Sequence, residues 1–371
     1  MYKTFSGHSI NNLFYQILKD ALENWPKGVK RRDDRLTWDS PGPVCVHLTN
    51  PRNRVLTIPG RNSSFPATCA ETLWVLAGRD DVKFLEPFLP RAKDFSDDGK
   101  IWRAGYGPRL RGHNFYDNGW EVYRTDQIDT IVYELSHKPE SRRAVIGLLE
   151  PYYDLCMDWR RDVHNMDSKD FPCTQSLSFM VRSGKLDLTV FIRSNDLIWG
   201  WSHCNVFEFC VLQELVSIMT NIPLGEFYII SNSLHVYEDM ENRVSKILEL
   251  PRFDVYDHLQ AHIYAPCDYS FKDFDEDVGL GVGVIDKGGY DNFGSVLVTK
   301  TFLRDYVVAA CAVKREPWLM THYITDAPSA IAVLEWARRT QNVEGVTAVA
   351  VAAAWLANYP QPVQRYITGA I

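Results

Sequence analysis

Phe171-Pro172-Cys173-Thr174-Gln175 is followed further along the chain by Arg193-Ser194-Asn195-Asp196, and then by Gly200 and Asn205. This run supplies a thiol, a guanidinium, a hydroxyl and an amide. Together they are what is needed to attack an electron-poor ring such as a pyrimidine while holding its phosphate. Taken alone, Cys173 reads as a small buried hydrophobe; its neighbours turn that reading into one of a nucleophile.

The elements between these residues explain how they meet. Leu177 to Val181 and Leu186 to Ile192 are strand-like runs around the turn Arg182-Ser183-Gly184-Lys185. Such a pattern predicts a β-hairpin, whose two outer ends are neighbours. Cys173 precedes the first strand and Arg193 follows the second, so the hairpin should bring thiol and guanidinium together. Val206 to Met219 reads as a buried helix and Phe227 to Ile230 as a strand leading to His235 and Tyr237.

Earlier in the chain, Ile10, Leu13, Phe14, Ile17, Leu18, Ala21 and Leu22 recur at helical spacing, and Val44, Val46 and Leu48 alternate as in a strand. A helix from Pro66 to Ala77 carries Glu71 among apolar residues. An acid in such a setting is costly to ionise, so Glu71 is a candidate proton carrier, although a lone helix glutamate is more often surface. Arg31 and Arg32 read as part of a solvated loop. Residues 94 to 113, rich in glycine and aromatics, predict a functional loop, and Gln127 to Leu135 a short helix. Residues 266 to 294 read as a loop or irregular insertion, with helices expected over Arg304–Val313 and Pro328–Tyr359. The fold expected is α+β, with a catalytic domain over 1–250 and a C-terminal elaboration over 251–371 packed on the same domain.

Composition excludes several classes. Of 371 residues, 46% are hydrophobic and 23% charged, which is a globular balance. The formal net charge of −7 argues against a non-specific nucleic-acid binder, so an anionic ligand needs a local arginine cluster. The eight cysteines form no CxxC pair and no zinc-type spacing, so no metal is expected, and their scatter predicts reduced thiols in a cytoplasm. Neither a signal peptide nor a membrane span is expected.

The ordered set Ser141-Arg142-Arg143, Pro172-Cys173, Gly184-Lys185-Leu186, Arg193-Ser194-Asn195-Asp196, Gly200, Asn205 and His235-Val236-Tyr237 resembles the folate-dependent thymidylate synthase family, which includes the pyrimidine nucleotide hydroxymethylases. The resemblance covers roughly residues 10 to 250 and is strongest from 141 to 237. It implies a large mixed sheet flanked by helices, 5,10-methylenetetrahydrofolate as cofactor and a deoxypyrimidine monophosphate as substrate. Cys173 would add to ring carbon C6, with its thiolate favoured by Arg193. Arg35, Arg142, Arg143 and Arg193, with Ser194, would hold the phosphate. Arg142 and Arg143 would cross to the other subunit's site, which makes the enzyme a homodimer. Glu71 and Tyr106 would form a proton network, and Asp196 would also be catalytic. Asp196 and Gly200 would meet folate, as would Trp102, and His235 and Tyr237 the sugar hydroxyl. Asn205 would read a uracil, since an amide can both donate to O4 and accept from N3–H; the stretch from Gly200 to Asn205 is one residue longer than the family spacing.

Three departures bear on the product. Thr174 stands where the family usually has histidine, the short closing C-terminal tail is unrecognisable, and no shielding tryptophan can be identified near Phe84, Phe88 and Trp102. A methylene intermediate takes hydride to give a methyl group or water to give a hydroxymethyl group, and exclusion of water decides. The preferred expectation is 5-hydroxymethylation of dUMP (or dCMP), with reductive methylation as the alternative. A second alternative is a non-catalytic nucleotide- or RNA-binding regulator.

Overall fold

The computed structural model describes residues 3–286 except 31–34, 59, 62–63, 118–119, 156, 159–162, 165–167, 251–253, 255 and 257–268. Arg31 and Arg32, and the helices expected beyond Arg304, lie outside the described residues.

The hairpin forms as its turn chemistry requires. Thr174–Arg182 pairs antiparallel with Lys185–Ile192, and both turn residues, Ser183 and Gly184, have positive φ (49° and 74°). Two left-handed residues give a turn whose twist matches that of the strands it joins. The hairpin lies in a six-stranded sheet with the order Lys3–Gly7, Val44–Leu48, Leu224–Ser231, Lys185–Ile192, Thr174–Arg182 and Val145–Gly147. Two of its pairings are parallel and three antiparallel. This is the α+β architecture expected, a large mixed sheet flanked by helices.

Leu224–Ser231 and Val44–Leu48 alternate buried with half-buried residues, so one sheet face lies in the core. The helix Val206–Thr220 packs on that face against Lys185–Ile192 and Leu224–Ser231. Its buried Gln213 donates to the carbonyls of Leu186 (2.9 Å) and Glu226 (3.0 Å), pinning the helix to the strands by polar contacts that apolar packing cannot orient. The helix Ile10–Asn24, N-capped by Ser9, packs against the strands Lys3–Gly7 and Val44–Leu48 with Leu13, Phe14 and Ile17 buried. The sheet's other face is less covered, with Phe191 and Val145 exposed.

A smaller sheet runs Asn195–Asp196, Leu234–Tyr237, Leu36–Asp39, Val29–Lys30, and its register sets Asp196 opposite His235. Three segments differ from expectation. The stretch 94–113 contains the end of a 3-10 turn, Ala92–Phe95, and the helix Tyr106–Arg111. Within the expected insertion at 266–294, Phe271–Asp286 is a helix despite Gly279, Gly281 and Gly283. Each glycine costs a helix about 1 kcal/mol relative to alanine. Phe274, Val278, Val282 and Ile285 nevertheless bury one face, and Arg111 and Arg79 bind Asp275 and Asp286. Packing thereby overrides local propensity. The third is a π-helix, Leu197–Asn205, leading directly into Val206–Thr220.

Candidate active site

The backbone N–H of Arg193 donates to the Cys173 carbonyl at 2.9 Å, which closes the open end of the hairpin. Its guanidinium donates from Nε to the Pro172 carbonyl (2.9 Å) and from Nη2 to the Phe171 carbonyl (3.1 Å), and Nη2 also lies 3.7 Å from the Cys173 sulfur. Arg193 therefore both shapes the cysteine loop and faces its thiol. The thiol is exposed. Enough protein surrounds it that desolvation raises its pKa, with Arg193 pulling down and Asp170 pushing up. Arg193 offsets only part of the desolvation.

Behind that loop stands an ion cluster that sequence reading missed. Arg103 and Arg109 both bind the fully buried Asp154, with Arg109 reaching its two oxygens at 2.7 and 2.8 Å. Arg103 also donates to the Asp170 carbonyl at 2.8 Å, and the Asp170 carboxylate accepts the Ala104 N–H at 2.9 Å. Burial pushes Asp170 up to about 6. These partners lie far apart in the chain, so no local spacing announces them.

On the inner side, Glu71 sits in the helix Phe65–Leu76, and burial alone pushes its pKa up to about 7. Its Oε2 is buried without a hydrogen-bond partner. The phenol of Tyr106 accepts the Thr174 N–H at 3.0 Å and is held protonated by burial and, next, by the nearby Cys173 thiol. Tyr106 thus reaches the residue beside Cys173. It sits at the start of Tyr106–Arg111, where Gly107 is required because a Cβ there would run into the backbone of Gly78 and Arg79. Thr174 itself is buried, with its hydroxyl unpartnered.

The π-helix resolves the irregular spacing before Asn205. A π-turn takes one more residue per hydrogen-bonded loop than an α-turn, so it absorbs a single extra residue without displacing the helix after it. Gly200 and Asn205 remain side by side: a Cβ on Gly200 would lie 3.1 Å from Asn205 Oδ1 and 2.8 Å from Asn195 Oδ1. Asp196 caps this helix, accepting the Ile198 N–H at 2.8 Å. Desolvation raises its pKa, which the facing His235 pulls back down. His235 and Tyr237 meet edge to face, with ring centroids 5.2 Å apart.

The remaining expected residues are not gathered at the thiol. Arg35 stacks on Tyr237 (3.4 Å to the ring centroid) and pairs with Asp239 at 2.9 Å. Strand register places it beyond Tyr237, at the opposite end of the small sheet from Arg193. Arg142 and Arg143 are exposed. The adjacent Ala144 carbonyl accepts the Phe179 N–H, six residues along the strand from Cys173, or roughly 20 Å away. An arginine side chain does not span that gap, so these two cannot serve their own chain's thiol. Ser194 is half-buried next to Arg193. Trp102 packs edge-on against Trp74, and its N–H is engaged by the Ala92 carbonyl at 2.8 Å.

Sequence reading also missed Glu208, in the first turn of Val206–Thr220, which is 2% exposed. Its signal was available: an acid in an apolar helix, as at Glu71. Among the described residues, no three His, Cys, Asp or Glu side chains could hold a metal, and no helix is long and apolar enough to cross a membrane.

The thymidylate synthase family model matches residues 14–275. The deoxyuridylate hydroxymethyltransferase of Bacillus phage SP01 is 36% identical over 241 residues, covering 64% of this chain; the chain spans 59% of that relative's length. The thymidylate synthase of Bacillus mojavensis is 27% identical over 255 residues, covering 66% of this chain and 84% of its own. Among solved structures, thermostable thymidylate synthase A from Bacillus subtilis superposes with a TM-score of 0.54 over 72% of this chain and 91% of its own, at 24% identity, a likeness of fold.

Proposed function

The chain belongs to the thymidylate synthase family, and on that premise we propose that it transfers a one-carbon unit to C5 of a deoxypyrimidine monophosphate and releases the 5-hydroxymethyl product, with dUMP preferred over dCMP. The observation that carries this reading is the exposed Cys173 thiol with the Arg193 guanidinium 3.7 Å from its sulfur. The choice of hydroxymethyl over methyl is supported by the greater identity to the phage hydroxymethyltransferase than to the bacterial synthase.

Cys173 Sγ gives up its proton and bonds to ring carbon C6, which makes C5 nucleophilic. Arg193 stabilises the thiolate as it forms, and a bound phosphate would draw on the same cation. Glu71, poised near neutrality, carries the protons that the ring oxygen gains and C5 loses. Tyr106 holds the Thr174 N–H and so fixes the strand start next to the nucleophile. Asn205, beside Gly200, reads the base, and His235 with Tyr237 takes the sugar.

The residues fit a folate. Asp196 offers a carboxyl, and the buried Asn195 Nδ2 and Trp201 Nε1 lack partners. When bound, 5,10-methylenetetrahydrofolate supplies carbon at the oxidation level of formaldehyde. Trp102 fits less well, because its N–H is already used.

Arg142 and Arg143 serve a second copy of the chain in this reading, which makes the enzyme a homodimer joined through the less covered sheet face. We place the catalytic unit in residues 1–250 and assign 251–371 as an elaboration on the same domain. A cytoplasmic setting suits the five described cysteines, none of them in a disulfide.

The test is incubation with dUMP or dCMP and methylenetetrahydrofolate, with nucleotide mass and dihydrofolate absorbance as readouts. Expected is 5-hydroxymethyl-dUMP without dihydrofolate. A methyl product with stoichiometric dihydrofolate would make it a thymidylate synthase, and no turnover of either nucleotide would overturn catalysis.

A further inference from the structure

Arg61 takes no part in the chemistry above, yet it sits where a cation is costly, only 3% exposed. A guanidinium so buried normally meets a carboxylate. This one directs its hydrogen bonds into the π-helix Leu197–Asn205. Nε donates to the Ser202 hydroxyl at 3.2 Å, and Nη2 donates to the Ile198 carbonyl. The Ser202 hydroxyl donates to that same carbonyl at 2.7 Å, while the Ile198 N–H is held by Asp196 at 2.8 Å. Side chains thus engage Ile198 at both its N–H and its carbonyl.

These contacts fall on an atom that decides the type of helix. In an α-turn the Ile198 carbonyl would accept the Ser202 N–H, four residues on; Arg61 and the Ser202 hydroxyl compete for it. At the far end the Val206 N–H donates to the Trp201 carbonyl, five residues back, which is π spacing. A second tether comes from the helix Phe65–Leu76, whose Thr68 hydroxyl reaches the His203 carbonyl at 3.3 Å. π-turns are rare, and a side chain inserted into the ladder is one cause of such a departure. The consequence appears at Gly200. One α-turn on from it stands Cys204, and one π-turn on stands Asn205, whose Oδ1 lies 3.1 Å from where a Gly200 Cβ would be.

We infer that Arg61 is a positioning residue for base selection: its hold on Ile198 and Ser202 keeps the π-turn that sets Asn205, and not Cys204, beside Gly200. The inference rests on the reading above, in which Asn205 meets the base. Without the clamp the stretch relaxes to α spacing and a thiol takes the place of the amide. The paired donor and acceptor that tell uracil from cytosine are then lost. Deleting Cys204 works the other way, because an α-turn then brings Asn205 beside Gly200 and no clamp is needed.

Equilibrium binding of dUMP and dCMP to the whole chain tests this in Arg61→Met, which keeps the side chain's apolar length and loses its donors. The preference for dUMP over dCMP should fall by about 10-fold or more. Deleting Cys204 in the same variant should restore it, which a general loss of packing would not allow. An unchanged preference in folded Arg61→Met overturns the inference. So does loss of methylenetetrahydrofolate affinity with base preference intact, which would make Arg61 a ligand contact. If Arg61→Met does not fold, the variant that also lacks Cys204 decides: it should fold and prefer dUMP, and failure in either respect overturns the inference. Should the wild type itself show no preference, the reading of Asn205 is what fails, and a crystal structure of Arg61→Met, or of Ser202→Ala if Arg61→Met does not fold, tests the clamp separately. There the Val206 N–H should bond to the Ser202 carbonyl, four residues back in sequence (that of residue 202 in either variant); a bond still made to Trp201 overturns the clamp.

Discussion

The two sides of the site are built on opposite terms. On the open side, the loop bearing Cys173 is tied down at nearly every polar group: Arg193 holds the Phe171 and Pro172 carbonyls, and Arg103 with Ala104 holds Asp170. On the closed side, Glu71 and Glu208 are buried with oxygens left unpartnered. Saturated hydrogen bonding gives position, which a nucleophile needs. Unsatisfied burial gives a raised pKa, which a proton carrier needs. The proposed active site would use both, because each property is lost where the other is maximised.

The sharpest break of this contrast removes the proposed nucleophile. Cys173→Ala should lower turnover by at least about 10⁴-fold. Because the side chain is exposed, stability should stay within about 0.5 kcal/mol of wild type in denaturant melts. A large loss of stability would mean that the thiol is structural.

Glu71→Gln should cut kcat by about 10²–10⁴-fold, as for the loss of a general acid–base, and should reverse the pattern in stability. Burial raises the folded pKa of Glu71 from its ordinary 4.5 to about 7. An acid with a raised folded pKa contributes fully below its unfolded value and loses that contribution as pH rises towards and through the folded one. Wild type should therefore lose up to about 3 kcal/mol across that window that the glutamine variant keeps. Urea melts from pH 5 to 8 check this, and parallel curves for the two proteins would refute it.

Asp154→Asn tests the open side's foundation. It leaves Arg103 and Arg109 buried against a neutral partner, and breaking such a pair costs about 3–5 kcal/mol. Thermal melts should show the loss, and limited proteolysis should open the segment around Asp170.

The smallest effect is expected at Arg35→Ala, whose ion pair with Asp239 is exposed on both sides. Stability should change by less than about 1 kcal/mol. If Arg35 swings to the phosphate on binding, KM for the nucleotide should rise while the melt stays put.

Much of this was legible in the chain. The hairpin, the helix Val206–Thr220 and the strand Val44–Leu48 follow from periodicity and turn residues, and they place Cys173 against Arg193 with little error. The Phe271–Asp286 helix was not legible, because its glycines speak against it and what offsets them is tertiary: a buried apolar face and ion pairs from Arg79 and Arg111. Within one chain Arg193 reaches the thiol, whereas Arg35 lies at the far end of the small sheet and Arg142 and Arg143 are exposed just before the strand Val145–Gly147.

By itself the sequence determined which groups can react and which of them a local turn brings together, since backbone geometry over a few residues is set by those residues. Tertiary structure alone decided the protonation side of the site. Glu71 and Glu208 lie on different helices, Asp154 meets Arg103 and Arg109 across 51 and 45 residues of chain, and the π-helix Leu197–Asn205 precedes Val206. A carboxyl's pKa depends on what surrounds it in three dimensions, and no spacing along the chain encodes that.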